Sequence, residues 1–137
     1  MPIQTEPHQA KAVGRNVRVS WKDVTEIGRF VKGDSVEKAE NKLEKVMEEE
    51  LAVPFTKFSG AAQKPGQGEA RYPVKAAEEV LKVIRSATSN ADDQGLNTDN
   101  LEIQEFITNQ GREFRTPKRH RGETFKAAHV KIVVGER

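Results

Sequence analysis

The chain has 137 residues, 32% of them charged and 35% hydrophobic, with no cysteine and a formal net charge of +2. That length supports one domain with a modest core, and the lack of cysteine excludes both a disulfide framework and a thiolate metal site. No apolar run reaches the roughly 20 residues of a membrane span, and Met1 to Gln9 lacks a signal-peptide core, so an intracellular protein without a membrane partner is expected.

Residues 1–10 read as a flexible tail, and residues 11–100 as a globular body. Lys11 to Val19 is a short strand, with Val13, Val17 and Val19 apolar and Arg15 and Arg18 interspersed. Taken alone, the two arginines read as well as solvated strand-face charges as anything more specific. Ser20 then offers a hydroxyl N-cap with Asp23 in the capping-box position. The helix that follows sets Trp21, Val24, Ile27, Phe30 and Val31 on one face. Trp21 reads as core or edge of core rather than as a platform for stacking bases. Gly28 costs ~1 kcal/mol against alanine inside a helix, a sign of close packing there, and Gly33 is a suitable C-terminal stop.

Asp34 or Ser35 caps a second helix running to about Glu50, with Val36, Ala39, Leu43, Val46 and Met47 as its buried stripe. Its Glu/Lys-rich face is ordinary solvated surface. Glu48 to Glu50 oppose the helix dipole at its C-terminal end, which marks that boundary as frayed or adapted to a contact. Residues 51–72 form a loop insertion whose stretch Ser59 to Gly68 is flexible by composition. Gly66-Gln-Gly68 lacks the third glycine and the preceding strand of a phosphate loop, and Pro65 follows Lys64 where Ser or Thr would be required. Pro73 sits at the first position of a third helix carrying Val74, Ala77, Val80, Leu81, Ile84, Ala87 and Ala91. Its small residues suit tight packing on a sheet.

Asn97 to Asn100 turns the chain into its last third, where Leu101 to Ile107 and Phe125 to Val134 are β-rich runs around a middle punctuated by Gly111, Pro117 and Gly122. The order is strand, three helices, two strands. It predicts an α+β fold: a small three-stranded antiparallel sheet packed with three helices, with a long extended β-hairpin over residues 101–134.

Little in the chain suggests catalysis. Neither a Gly-x-Ser-x-Gly elbow nor a His-Glu-x-x-His helix occurs, and the paired carboxylates Glu78-Glu79 and Asp92-Asp93 sit on or at the end of a helix as solvated surface. His120, Glu123 and His129 match no common zinc spacing. No enzyme, metal or cofactor is expected.

Charge is unevenly placed. Residues 111–131 hold seven Lys or Arg against two acids, a net +5, whereas residues 1–110 hold fifteen against eighteen, a net −3. A basic arm on a mildly acidic body points to a polyanionic partner met by one end of the molecule. Arginine supplies bidentate phosphate contacts, and Phe114 and Phe125 among the cations add surfaces for stacking on nucleotides. The middle of the arm has too few apolar side chains to offset its ordering entropy alone, so a negatively charged scaffold is expected to hold it.

Several runs resemble one known family. They are Lys11 to Ser20 (KAVGRNVRVS), Val31 to Ala39 (VKGDSVEKA), Ser86 to Ala91 followed by Gly95-Leu96, and the basic hairpin from Gly111 to Ile132. Over about residues 9–134 and in the same order, they are similar to the universal large-subunit ribosomal protein conventionally numbered twenty-two. The insertion, with Val53-Pro-Phe55 and Arg71-Tyr-Pro73, is similar to archaeal and eukaryotic members. The resemblance implies an α+β body on the outer face of the large subunit and a hairpin threading through ribosomal RNA to the nascent-peptide tunnel. It implies RNA contacts from the body by Lys11, Arg15, Arg18 and Lys22, and along the arm by Arg112, Arg115, Lys118, Arg119, His120, Arg121 and Lys126. Thr116, Pro117, Lys118, Arg119, His120 and Arg121 would lie nearest the tunnel. The implied partners are large-subunit rRNA, neighbouring ribosomal proteins and the nascent polypeptide. The arm departs from bacterial relatives in being shorter and less arginine-rich, with Glu113 and Glu123 inside it.

Two other readings compete. A free-standing RNA-binding or ribosome-assembly factor would use the same arm. A protein-interaction module on the acidic helical face would show little of the salt dependence of phosphate binding.

Overall fold

The computed structural model describes residues 8–54, 70–111, 114–115, 124–125 and 127–136; for Asn16 and the short segments at 70–71, 114–115 and 124–125 the backbone alone is described. In chain order the elements are β1 (Gln9–Val17), α1 (Trp21–Val31), α2 (Val36–Met47), the two-residue β2 (Val53–Pro54) and β3 (Ala70–Arg71), α3 (Val74–Asp93), β4 (Leu101–Gln110), the short β5 (Phe114–Arg115) and β6 (Thr124–Phe125), and β7 (Ala128–Glu136). This is the expected α+β arrangement, with the three long strands in the order β1-β7-β4 and both pairings antiparallel.

Strand β7 is thus the middle of the sheet. Its alternate residues Ala128, Val130, Ile132 and Val134 face the helices and are buried, beside Ala10 and Ala12 of β1 and Leu101 and Ile103 of β4. α3 lies over β1 and β7, α1 covers β4, and α2 packs on α3. Close approach of α3 to β1 follows from small residues on both sides. A Cβ on Gly14 would stand 3.0 Å from Val83, and Asn90 Nδ2 donates to the Lys11 carbonyl at 2.8 Å.

The link between α1 and α2 covers part of the outer edge of β4. Gly33 N–H donates to the Ile103 carbonyl and Ile103 N–H donates to that of Asp34, each at 2.9 Å. Gly33 has φ +87°, the left-handed geometry that suits glycine after a helix. Ser35 rather than Asp34 caps α2, accepting from Lys38 N–H at 3.3 Å, while Asp34 pairs with Lys42 at 2.6 Å.

Several boundaries and one cap differ from expectation. The first strand begins at Gln9, inside the stretch 1–10 expected to be tail, because Ala10 is buried against the core and pairs with Val134; it stops at Val17 after a bulge that follows Gly14, and Val19 is buried in the turn beyond it. Ser20 occupies the N-cap of α1, but its side chain makes no capping bond; its carbonyl accepts from Val24 N–H at 3.1 Å. α2 ends at Met47 rather than near Glu50. Glu49 turns left-handed at φ +59° and Glu50 N–H reaches back to the Lys45 carbonyl, so the three glutamates leave a helix end that disfavours them. Pro73 is the cap of α3 and Val74 its first residue. The buried stripe of α3 is also broader than one row, because Ala76 and Val83 join it.

Glu40 on α2 has its carboxyl held above its ordinary value, chiefly by burial, opposed by the Arg85 guanidinium and reinforced by Glu44 and Glu37. Folded Glu40 therefore holds its proton more tightly than the unfolded chain does. Its carboxylate weakens the fold near neutrality, and that penalty fades as pH falls through the raised value. Glu40→Gln is expected to raise the urea midpoint at neutral pH and to flatten its rise toward the ordinary carboxylate range. An unchanged pH profile would refute this role.

Candidate nucleic-acid interface

The hairpin begins as a continuation of the sheet. β4 and β7 pair out to Gln110↔Ala128, and Gly111 N–H donates to the Ala127 carbonyl at 2.8 Å. A Cβ on Gly111 would sit 2.9 Å from the Ala127 backbone, so glycine lets the two strands meet here. Antiparallel pairing resumes at Phe114↔Phe125 and Arg115↔Thr124, offset by one residue from the register below it. This pairing is consistent with the expected long hairpin. Of the predicted arm residues, Arg115 is described by its backbone. Arg112, Thr116, Pro117, Lys118, Arg119, His120, Arg121 and Lys126 lie outside the described residues.

The structure places all four predicted body residues. Lys11 and Arg15 are exposed on β1, on the sheet face turned away from the helices, with Val13 between them. Arg18 is exposed in the turn after β1, and Lys22 is exposed in the first turn of α1. A cation there opposes the helix dipole, so Lys22 adds nothing through it to helix stability. Register brings two further cationic or titratable groups onto the same open face. Lys131 stands opposite Val13 and His129 alternates with it along β7, both half-buried. From the sequence alone, His129 stands out only as a candidate metal ligand and Lys131 not at all. The signal was there in the period-two alternation of Ala128, Val130 and Ile132 with His129 and Lys131.

The open face is not uniformly basic. Glu102 and Glu105 occupy its β4 side, and Gln104 bonds to Gln9 across Gly135, where a Cβ would collide with the Gln104 amide. The cations accordingly gather toward β1 and the end of β7 from which the hairpin springs. Acidic residues concentrate instead on the helical side. Glu44 meets Arg85 at 3.4 Å, and Lys42 is held by Asp34 while lying 4.7 Å from the centre of the Phe30 ring. The helical layer thus mixes charges of both signs, with some of its cations paired to acids. Among the described residues no group of His, Cys, Asp or Glu is arranged to hold a metal, and no helix is long and apolar enough to cross a membrane.

Comparison with known proteins agrees with this geometry. The family model described as ribosomal protein L22p/L17e matches residues 12–134. The chain is 33% identical to the large ribosomal subunit protein uL22 of Thermoplasma acidophilum, over 98% of this chain and 93% of that one. It is 35% identical to the uL22 protein of Methanopyrus kandleri, covering 93% and 87%, and 31% identical to that of Zea mays, covering 93% and 82%. With matches of this extent from β1 through β7, the chain belongs to the L22p/L17e family of ribosomal proteins.

Proposed function

We propose that the chain is a structural constituent of the large ribosomal subunit and acts as a single RNA-binding domain of the ribosome in the cytoplasm. Its arm, through Arg112, Arg115, Lys118, Arg119, His120, Arg121 and Lys126, neutralises phosphates of large-subunit rRNA. Lys11, Arg15, Arg18 and Lys22 extend that contact onto the body. Residues 116–121 line the nascent-peptide tunnel and meet the growing polypeptide, and the body abuts neighbouring ribosomal proteins. Proteins of this family are structural components rather than enzymes. The observation that carries the proposal is the segregation of a net +5 into residues 111–131, with a net −3 in the preceding 110.

Six Lys or Arg of the arm against six phosphates give a log–log salt slope of roughly −4 to −5 for binding to an rRNA fragment. Locked among many RNA segments of a finished particle, the protein is expected to stay with large subunits in a high-salt sucrose gradient. Release at high salt would instead identify a free RNA-binding or assembly factor. A shallow slope would favour a protein-interaction module.

A further inference from the structure

A cleft of about 250 Å³ lies between α1 and β4; none of the cations assigned above to RNA lines it, and Lys22 adjoins it through its neighbour Trp21. Trp21, Thr25, Gly28 and Lys32 follow one another along a single stripe of α1, with Arg29 beside them, and Phe106 and Thr108 close the cleft from β4. Gly28 makes the floor. Any Cβ there would collide with the Phe106 ring, so the ring rests directly against the helix backbone. Trp21 and Phe106 are half-buried, each packed on the core on one side while bordering the cleft on the other.

The rim is cationic. Arg29 and Lys32 are exposed, and neither forms an ion pair among the described residues, unlike Lys42 of α2 and Arg85 of α3. Among the described residues no carboxylate lines the cleft. At about 250 Å³, the space is a small one. That is short of the roughly 300 Å³ at which drug-sized pockets begin. It suits one flat ring with an anion beside it, which is the chemistry of a nucleotide whose base has left its stack.

We infer that this cleft holds one unstacked nucleotide of the bound RNA, with its base against Trp21 and Phe106 and its phosphate on Arg29 and Lys32. The inference rests on the RNA-binding reading above and names a second point of contact, separate from the arm. Trp21 thereby serves both as edge of the core and as one wall of a base site.

Trp21 is the only tryptophan of the chain, so its fluorescence reports on the cleft. The full-length protein is titrated with a short oligoadenylate, with an abasic phosphodiester of the same length, and with an oligoglutamate. Oligoadenylate is expected to quench Trp21 while the abasic strand and the oligoglutamate leave it unchanged. Arg29→Gln with Lys32→Gln, both at exposed positions, is expected to weaken oligoadenylate binding about tenfold and to reduce the salt slope by about 1.4. Phe106→Leu should abolish the quench; should that variant fail to fold, the exposed cation pair supplies the same test. Equal quenching by the abasic strand, quenching by oligoglutamate, or binding indifferent to the double variant would each overturn the site. An rRNA fragment that binds through the arm while Trp21 stays silent overturns the cleft alone. Failure of the protein to bind any RNA overturns both readings.

Discussion

Arg119→Glu combined with Arg121→Glu is expected to exclude the protein from large subunits while leaving the helicity of the isolated chain unchanged. The two reversals lower the charge of residues 111–131 by four, from +5 to +1. They replace phosphate donors with groups that repel phosphate. At about 1.5 kcal/mol or more for each charge-assisted hydrogen bond lost, the pair is worth at least roughly a hundredfold in affinity. Tagged protein in the large-subunit peak of a sucrose gradient measures the effect, and far-UV circular dichroism checks the helices. Lys38→Glu with Lys45→Glu changes the net charge equally on exposed positions of α2 and should leave incorporation intact. Normal incorporation of the arm variant, or equal loss in the control, would refute the arm as the RNA-contacting element.

A second large effect is expected from Ile132→Ala at the centre of the middle strand. Ile132 is fully buried, pairs with Ala12 on one side and Phe106 on the other, and faces the helices. Removing its side chain leaves a cavity where three elements meet, which costs about 2–5 kcal/mol of a total of roughly 5–15. The thermal midpoint should fall by roughly 10–20 °C. Val13→Ala removes a comparable apolar group one strand away. Val13 lies on the open face at 39% exposure, and its loss should cost less than about 0.5 kcal/mol. Equal costs at the two positions would mean that β7 does not organise the core.

The helices were legible because their stripes repeat at a helical period that needs only neighbouring residues to be seen. Gly33, Ser35 and the small residues of α3 could be read in the same way. What escaped depended on partners far along the chain. Gly28 announced close packing, but nothing near it named Phe106, which is 78 positions away and reached through the sheet. Glu26 resembles every other glutamate of the chain locally, yet it is fully buried within α1. Strand order was likewise invisible to local periodicity. Its one trace is the nearly unbroken apolar run Val130 to Val134, which fits a strand flanked on both sides better than an edge. The basic arm was legible as segregated charge, whereas Lys131 and His129 were hidden inside a segment read for its hydrophobic residues.

The position of β7 also governs when the protein can assemble itself. Among the described residues β1 and β4 make no ladder with each other, and the strand that each of them pairs with is translated after both. A growing polypeptide can therefore coil its helices early, but its sheet stays open until residues 128–136 have emerged. Products of interrupted translation would keep apolar helix faces uncovered and offer themselves to degradation, so only a chain translated through its final strand can take up the folded shape.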